Sequence, residues 1–587
     1  MECVREEWYI VMVAAVAVAL AAGGYAALEL YKYGGNLYVA EYEVHFSPNG
    51  TLSETYTYRV KSGDTYRMLY RFWDAPLTYQ EELDEPYIEV TDIECPYTPY
   101  IKDYAGRVYA SHSQLFIQSV AFRNEVGCLN SEYYSPGAYV IRYDYRLYPP
   151  VLTDGRHYHM NIQLARSHIP YHHVTMIVDN SSGAIVALYT HPPMDIRREG
   201  TQYVISGKSR RNGLLELEMV LSSFSPKFSY HEEGILEKTV DTNTAYRTRY
   251  EVVDFLAALF KTLAFCFPLI VAAIYYVHGR EKRYTIPRYL SYVPKKRKPW
   301  KVNLVFKGGA TDFDMNGFYA TLLDLQRRGI ISITPEGKEI SIRIIAPEAP
   351  LDSYERKVMK FLKKYATDGI FSTEEMKRRI HHHRGDVAAL TGMKRDFDGL
   401  TSVRGGMRFI VNGRIFMAKV FALSLIPMTV LAISYMLWHA SYPLLLDSLV
   451  FSLIFSMQFL VAIAAPPRVF GRWKREYFRE KMEWMSFRRF LLDMAHLEKY
   501  ATEDLVIWKE WLVYATALGA GKRVSRQLQK LNIAIPEATT LFPLYAAMTS
   551  TQRTLSLTYA ATSSSGSGGG GGFGGGGGFG GGGAGGR

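Results

Sequence analysis

The feature that most constrains this chain is Asp254–Lys301, an apolar run that ends in a dense block of positive charge. Phe255–Val277 reads FLAALFKTLAFCFPLIVAAIYYV, long enough to cross the hydrocarbon core of a bilayer as a helix. Behind it stand Arg280, Lys282, Arg283, Arg288, Lys295, Lys296, Arg297, Lys298 and Lys301, opposed only by Glu281. Lysine and arginine crowd the cytoplasmic ends of spans, so this helix is expected to run from outside to inside. The chain before it is then extracytoplasmic, and the chain after it cytoplasmic.

The 587 residues leave room for several domains, and 48% hydrophobic with 21% charged residues fits soluble domains joined to spans. The net charge of +11 gathers beside the candidate spans. That placement points to topogenic charge and anionic-lipid contact rather than to nucleic acid. The lipid-contact candidates are Arg280, Lys282, Arg283, Lys295, Lys296, Arg297 and Lys298. Of the 4 cysteines, Cys95 and Cys128 both fall in the extracytoplasmic stretch, where a disulfide would persist. Distance cannot be read from sequence, so pairing stays open.

Taken in order, residues 1–7 form a short cytoplasmic start and 8–30 a transmembrane helix or signal anchor, around the apolar Trp8–Leu28. Its flank carries Glu2, Glu6 and Glu7 beside Arg5, which favours an uncleaved anchor. The Ala-rich end near Tyr25 keeps a cleaved signal peptide open. Residues 31–254 are tyrosine-rich, alternate polar with apolar and break at turn residues, so an extracytoplasmic all-β, sandwich-like domain is expected. Tyr38–Phe46 and Thr51–Val60 read as a hairpin closed by Ser47-Pro48-Asn49-Gly50. His157–Leu164 and Val174–Val178 read as a further pair.

The span 255–277 leads into a basic juxtamembrane segment, 278–301. From 302 to 402 the period turns helical: Asp314–Arg328 is followed by Gly329 and by two alternating runs, Ile330–Thr334 and Ile340–Ile345. Helix then hairpin is the tail of a winged-helix unit, here in a cytoplasmic α+β domain. Asp352-x-x-Glu355 and Ser372-x-x-Glu375 have capping-box spacing. Residues 420–438 and 443–465 are two further spans joined by His439–Tyr442, too short to cross, so they form a hairpin. Arg414, Lys419, Arg468, Arg472, Lys474 and Arg475 put both its ends inside. Pro268 and Pro427 are expected to kink their helices.

Residues 466–535 read as cytoplasmic amphipathic helices. Leu505–Gly521 carries Lys509 and Glu510 at its centre, which makes a crossing costly. It is expected to pack on Glu483–Tyr500 through Trp508 and Trp511, with a helix lying on the membrane as the competing account. Residues 536–587 read as a disordered Ser/Gly-rich tail. In all, 278–415 and 466–587 are assigned to the cytoplasm.

This order of parts resembles the YciQ-like predicted membrane proteins, a family built around a domain of unknown function. The resemblance rests on FSPNGTLSETYTYRV (Phe46–Val60), FYATLLDLQRRGIISI (Phe318–Ile333), SYERKVMKFL (Ser353–Leu362), EDLVIWKEWLVYATALGAGKRV (Glu503–Val524) and a serine stretch leading into a Gly/Phe tail. A short loop between the last two spans and a histidine-rich outer segment depart from the pattern. The resemblance implies an envelope architecture with winged-helix-like inner modules and lends no catalytic residue.

The residues themselves offer little chemistry. His157 and His159 share a strand face, and with His172 and His173 they are the metal candidates. No acidic residue stands at a telling spacing, and exposed loop histidines are the favoured reading. No phosphate-binding loop, zinc-protease helix or nucleophile elbow is present, so no catalytic or cofactor-binding residue is assigned and no cofactor is expected. Arg327, Arg328, Lys338 and Arg343 could contact phosphates, but Asp312, Asp314 and Asp324 dilute that face and protein packing is favoured. The expectation is a multi-pass α-helical membrane protein acting as a non-enzymatic envelope scaffold or transducer, in contact with the lipid bilayer and other envelope proteins. The alternatives are a membrane-tethered DNA-binding regulator and a metal-dependent extracytoplasmic hydrolase.

Overall fold

The computed structural model describes residues 2–281, 284–493, 505–530, 535–563 and 584–587. The chain divides into two compact units. The β unit comprises Val11–Ile270, Val420–Val461 and Gly575–Arg587; the helical unit comprises Met1–Ile10, Val271–Lys419 and Ala462–Gly574.

In the β unit the first hairpin forms where the turn residues place it. Leu37–Ser47 and Thr51–Val60 pair antiparallel, and Gly50 takes φ +94°, a conformation that side chains resist. Gly137–Tyr148 extends the sheet beside Thr51–Val60, while Tyr171–Asp179 joins Leu37–Ser47 in parallel, giving eight strands in all. A second sheet of five strands holds Tyr158–Ala165 between Pro150–Thr153 and Leu215–Leu221. Alternation sends Leu52, Tyr56, Tyr58 and Val60 inward with Tyr42, Tyr143, Tyr145 and Tyr171, against Met160, Ile162 and Leu217 of the second sheet. A third sheet runs Ala584–Gly586, Met68–Phe72, Glu125–Leu129, Thr98–Lys102, Val108–Ala110.

Two expectations change here. The runs around His157–Leu164 and Val174–Val178 do not pair; they lie in different sheets, because Tyr171–Asp179 is claimed by a distant parallel partner. The β-rich stretch does not reach residue 254 either, since a helix begins at Ile235 and runs to Ile274. Its early turns are polar and lack an apolar stripe, which hid them from a periodicity search.

Among the described residues, four helices are long and apolar enough to cross a membrane: Glu7–Tyr33, Ile235–Gly279, Gly413–Trp438 and Leu445–Ala464. Ala21, Phe260, Ala264, Leu431 and Phe451 pack between them. The buried amide of Gln458 donates to the carbonyls of Ala17 and Ala264, both at 2.9 Å, the kind of polar tie that holds helices where no hydrophobic drive operates between them.

A large core in the helical unit gathers buried residues from Leu290 to Leu555. Asp314 caps Met315–Arg327, and Ser353–Tyr365 starts with a complete capping box of Asp352 and Glu355. Ser372 makes no side-chain cap bond at Thr373–His382, because it ends the strand Ile370–Ser372, which pairs with Glu339–Ile344. Ile331–Glu336 completes that three-stranded sheet. Phe318, Leu322, Trp508, Leu512, Leu541 and Leu544 share the core, and the Phe306 ring stacks on Trp473 and Trp484. Trp508 and Trp511 are buried in protein, which removes the membrane-surface account of their helix, Leu505–Ala517. Its expected partner, Glu483–Tyr500, is seen in Tyr477–Leu492; residues 494–500 lie outside the described residues.

The Ser/Gly-rich tail is also redrawn. Pro536–Ser563 is a helix that places Leu541, Leu544, Met548 and Leu555 in the core at helical spacing. The glycine run beyond it dominated the composition and masked that spacing. Ala584–Gly586 forms a strand of the β unit, and residues 564–583 lie outside the described residues.

Cys95 and Cys128 are joined, with Cα atoms 6.0 Å apart, and close a loop with a sequence separation of 33. Restricting the unfolded chain in this way contributes about 3–4 kcal/mol. Replacing both residues (Cys95→Ser with Cys128→Ser) is expected to lower the thermal midpoint of the β unit by roughly 10 °C. Scanning calorimetry of the oxidised protein checks this, and an unchanged midpoint refutes it.

Candidate functional site

The residues that converge in the β unit gather where its second sheet meets the helix Ile235–Ile274. The strand Leu215–Leu221 reads LELEMVL, so Leu217 and Met219 point into the core while Glu218 points the other way. Its carboxylate lies 2.7 Å from His159 Nε2 and 2.8 Å from His191 Nε2 on the two neighbouring strands. Asn243 Nδ2, from the helix, donates to the same carboxylate at 3.0 Å. One side chain thus joins three strands to a helix. Tyr246, one turn further on, packs edge-on against His191 at 4.8 Å and donates to the Ser441 carbonyl at 3.0 Å.

Other contacts fasten the same region. Arg210 Nη1 donates to the Pro443 carbonyl at 2.9 Å, and His172 Nε2 lies 3.0 Å from the Tyr33 carbonyl. Lys32 Nζ lies 2.8 Å from Asp447 and 2.7 Å from Glu29. A buried ammonium at a helix end is costly unless paired in this way.

A second buried charge pair sits inside the β unit. Glu54 and Arg71 are almost completely buried and lie 3.2 Å apart. Tyr42 donates to Glu54 at 2.6 Å, and the Arg71 guanidinium lies 3.7 Å above the Trp73 ring. A cavity of about 310 Å³ opens beside this pair, with Arg71, Trp73, Tyr148 and Asn161 in its wall, near the lower end of the range for small-ligand sites.

The histidines proposed as metal candidates do not converge. His159 is bound to Glu218, and His157 to Asp154 at 3.5 Å. His172 stacks on Tyr38 at 4.2 Å, and His173 is exposed on the adjacent position. Among the described residues no three His, Cys, Asp or Glu side chains meet to hold a metal ion. Of the lipid-contact candidates, Arg280, Lys295 and Lys296 are exposed, and Lys282 and Arg283 lie outside the described residues. Arg297 and Lys298 are corrected: Arg297 grips Glu480 through two nitrogens, and Lys298 Nζ lies 2.7 Å from Glu355. Their charges are used inside the helical unit because the Glu480 and Glu355 carboxylates are themselves buried.

Sequence reasoning missed Glu54, Arg71, Glu218 and Asn243. For Glu54 a signal existed: it stands in register with Leu52, Tyr56 and Tyr58 on the inward face. Glu218 gave none, since its partners come from strands and a helix remote in sequence.

His168 and Glu218 both contribute to the pH response of the β unit. Burial pushes the His168 imidazole down to about 4, with one ring nitrogen against the Ile169 carbonyl and the other 3.0 Å from Ser209 Oγ. The unfolded chain therefore takes up that proton first, so stability is complete above about pH 6.5 and is lost as pH falls toward 4. Burial also pushes Glu218 up, but hydrogen bonds from His159, His191 and Asn243 prevail and hold it below its usual range. Its contribution is lost only under about pH 4.5. The thermal midpoint is expected to fall between pH 6.5 and 4, and His168→Gln to flatten that limb while leaving the steeper loss at lower pH. A midpoint independent of pH from 6.5 to 4.5 contradicts this.

No curated protein matches the chain. Among solved structures, the M1 zinc metallopeptidase of Deinococcus radiodurans bound to a Tyr-Ser-Ala substrate is 9% identical over 32% of this chain and 43% of its own, with a TM-score of 0.19. The same enzyme without that substrate gives 9%, 32%, 43% and 0.18. The chain spans less than half the length of these structures, and likeness at this level carries no argument. Residues 38–221 match the N-terminal domain, and residues 286–528 the C-terminal domain, of a family described as predicted membrane protein. These matches lie in order on either side of the helix that Glu218 holds, and the chain belongs to the DUF2207 family of predicted membrane proteins.

Proposed function

We propose that this protein is a non-enzymatic, multi-pass scaffold or transducer of the cell membrane, with its β unit toward the medium and its helical unit toward the cytoplasm. The observation that carries this reading is the Glu218 clasp on Ile235–Ile274, the helix that continues into the apolar run. A partner that shifts the second sheet would move this helix directly, because three strands and Asn243 share one carboxylate. Support for sidedness comes from the basic residues after Val277 and at both ends of the Gly413–Trp438 and Leu445–Ala464 pair. Arg280, Lys295 and Lys296 supply contacts to anionic lipid. The partners would be other membrane or envelope proteins.

Within the helical unit, Met315–Arg327 and the hairpin after it would act as a winged-helix-like packing module. Gly317–Leu325 are all buried, and Arg327 and Arg328 are paired with Asp324 and Glu355. A helix so covered is poorly placed to read a major groove, which favours packing over DNA. The histidines favour anchorage over metal chemistry, since His159 and His191 both hold Glu218.

Cysteines placed at two exposed turns test the threading. Ser182→Cys is expected to react with an impermeant maleimide in intact cells, and Lys338→Cys only after permeabilisation; the opposite pattern rejects the orientation. For coupling, Glu218→Ala is expected to speed amide exchange at the start of Ile235–Ile274 by about tenfold or more, as the loss of charged hydrogen bonds worth about 1.5–3 kcal/mol predicts. Unaltered exchange there would remove the clasp from the argument.

A further inference from the structure

The third sheet of the β unit holds a site built for an extended peptide. Ala584–Gly586 pairs antiparallel with Met68–Phe72, in the register Ala584 to Arg71, Gly585 to Tyr70 and Gly586 to Leu69. The pairing continues beyond the strand: Arg587 N donates to Met68 O at 3.0 Å, and its oxygen accepts from the amides of Arg67 at 2.6 Å and Met68 at 2.8 Å. At the other end, Ile169 N donates to the Ala584 carbonyl at 3.0 Å. Every backbone group of the segment that meets the protein is therefore received by backbone, the mode of strand addition.

The side-chain requirements are equally defined. A Cβ on Gly585 would stand 2.7 Å from the Tyr70 hydroxyl, and one on Gly586 would stand 2.5 Å from Leu37 Cδ2. A larger residue at either position would force the Tyr70, Leu37 or Tyr66 side chains to shift, which favours glycine. The Arg587 guanidinium enters a slot between the Tyr70 and Phe122 rings, 4.1 and 4.3 Å from their centres. There it reaches the Glu125 carboxylate and the Val120 carbonyl. Glu125 is wholly buried and is otherwise held by the Tyr100 hydroxyl at 2.7 Å and the Phe122 amide at 2.9 Å. Burial pushes this carboxyl up against the pull of Arg587, so a slot without a cation leaves a carboxylate that is expensive to keep charged.

The four apolar helices, threaded as proposed above, put residues 34–234 and everything after residue 464 on opposite faces of the bilayer. A glycine-rich chain cannot cross hydrocarbon, where its amides would find no partners. The chain's own segment therefore serves as a template for the site rather than as its occupant in the membrane. We propose that the edge of Met68–Phe72 with the Glu125 slot is a receptor, on the outer face, for an extended Gly-Gly-Arg segment of a second polypeptide. This rests on the threading under Proposed function. The glycines are selected by closeness, the arginine by a buried carboxylate between two rings.

The test uses the full chain in sealed vesicles whose β unit faces the medium, with a fluorescent Gly-Gly-Ala-Gly-Gly-Arg peptide added outside. Saturable binding is expected, weakened at least tenfold by Glu125→Gln and severalfold by Phe122→Ala, a change at a half-exposed ring that leaves the core intact. Replacing the peptide's arginine by glutamate, or its last two glycines by valine, should abolish binding, and Arg587→Ala in the protein should change nothing. No saturable binding, or binding indifferent to both variants, overturns the receptor. Binding that appears only with Arg587→Ala shows that the protein's own segment fills the site and overturns the second polypeptide. Maleimide labelling of Ser182→Cys on the same vesicles separates the two ideas: labelled vesicles without peptide binding condemn the receptor alone, whereas unlabelled ones condemn the threading and the receptor with it.

Discussion

The structure of the β unit is referred throughout to the helix Ile235–Ile274, because inside hydrocarbon a helix lets one segment satisfy its own backbone amides. Such a helix is stiff, and its position must be fixed by groups near its ends and along its side. Glu218 and Asn243 fix it at the β sheets. Deeper along the bundle, Gln458 ties the Ala264 carbonyl to that of Ala17 at 2.9 Å each. Between these points the packing is apolar and non-directional, so the polar ties decide which rotation and depth the helix adopts.

The same division of labour holds inside the sheets. Tyrosines and aliphatic side chains supply the burial that drives the two sheets together, yet apolar faces tolerate many registers. The Glu54–Arg71 pair does not. A one-residue slip of Thr51–Val60 would turn Glu54 outward and leave Arg71 buried without its partner. Stranding one member of such a pair costs about 3–5 kcal/mol, comparable with the whole stability of a modest domain. The ion pair therefore selects a register that burial alone would leave degenerate.

What could be read in the sequence was what is local. The first hairpin, the helix before Gly329 and the capping box at Asp352 are each encoded within a few turns and lie within a residue or two of their expected place; of the apolar spans, those expected at 255–277 and 420–438 are the later parts of longer helices that begin at Ile235 and Gly413. The parallel partner of Leu37–Ser47 was illegible because it arrives from more than a hundred residues away. The Glu218 cluster was illegible for the same reason, since no spacing rule links residues 159, 191, 218 and 243. The helix Pro536–Ser563 was lost differently: its apolar positions are regular, but the glycine run beyond it coloured the composition of the whole segment. Composition is a property of windows, and this boundary falls inside one.

The helical unit adds an argument about sidedness that owes nothing to charge. Its core takes Trp300–Leu400 from before the apolar pair Gly413–Trp438 and Leu445–Ala464, and Trp473–Leu555 from after it. The two strands of chain that enter and leave this pair are sewn together. Val411 N donates to Arg472 O at 2.7 Å, Gly413 N to Pro467 O at 2.8 Å, and Lys474 N to Phe409 O at 2.9 Å, while Arg414 Nε reaches the Ala465 carbonyl at 3.0 Å. Segments so joined must lie on one face of a bilayer, whichever face that is. The pair can then cross only by going out and back, and an even number of crossings becomes a consequence of backbone hydrogen bonding in a water-accessible domain. The hydrogen bonds limit the choice to two faces, and in the threading proposed above the arginines and lysines beside the pair make it.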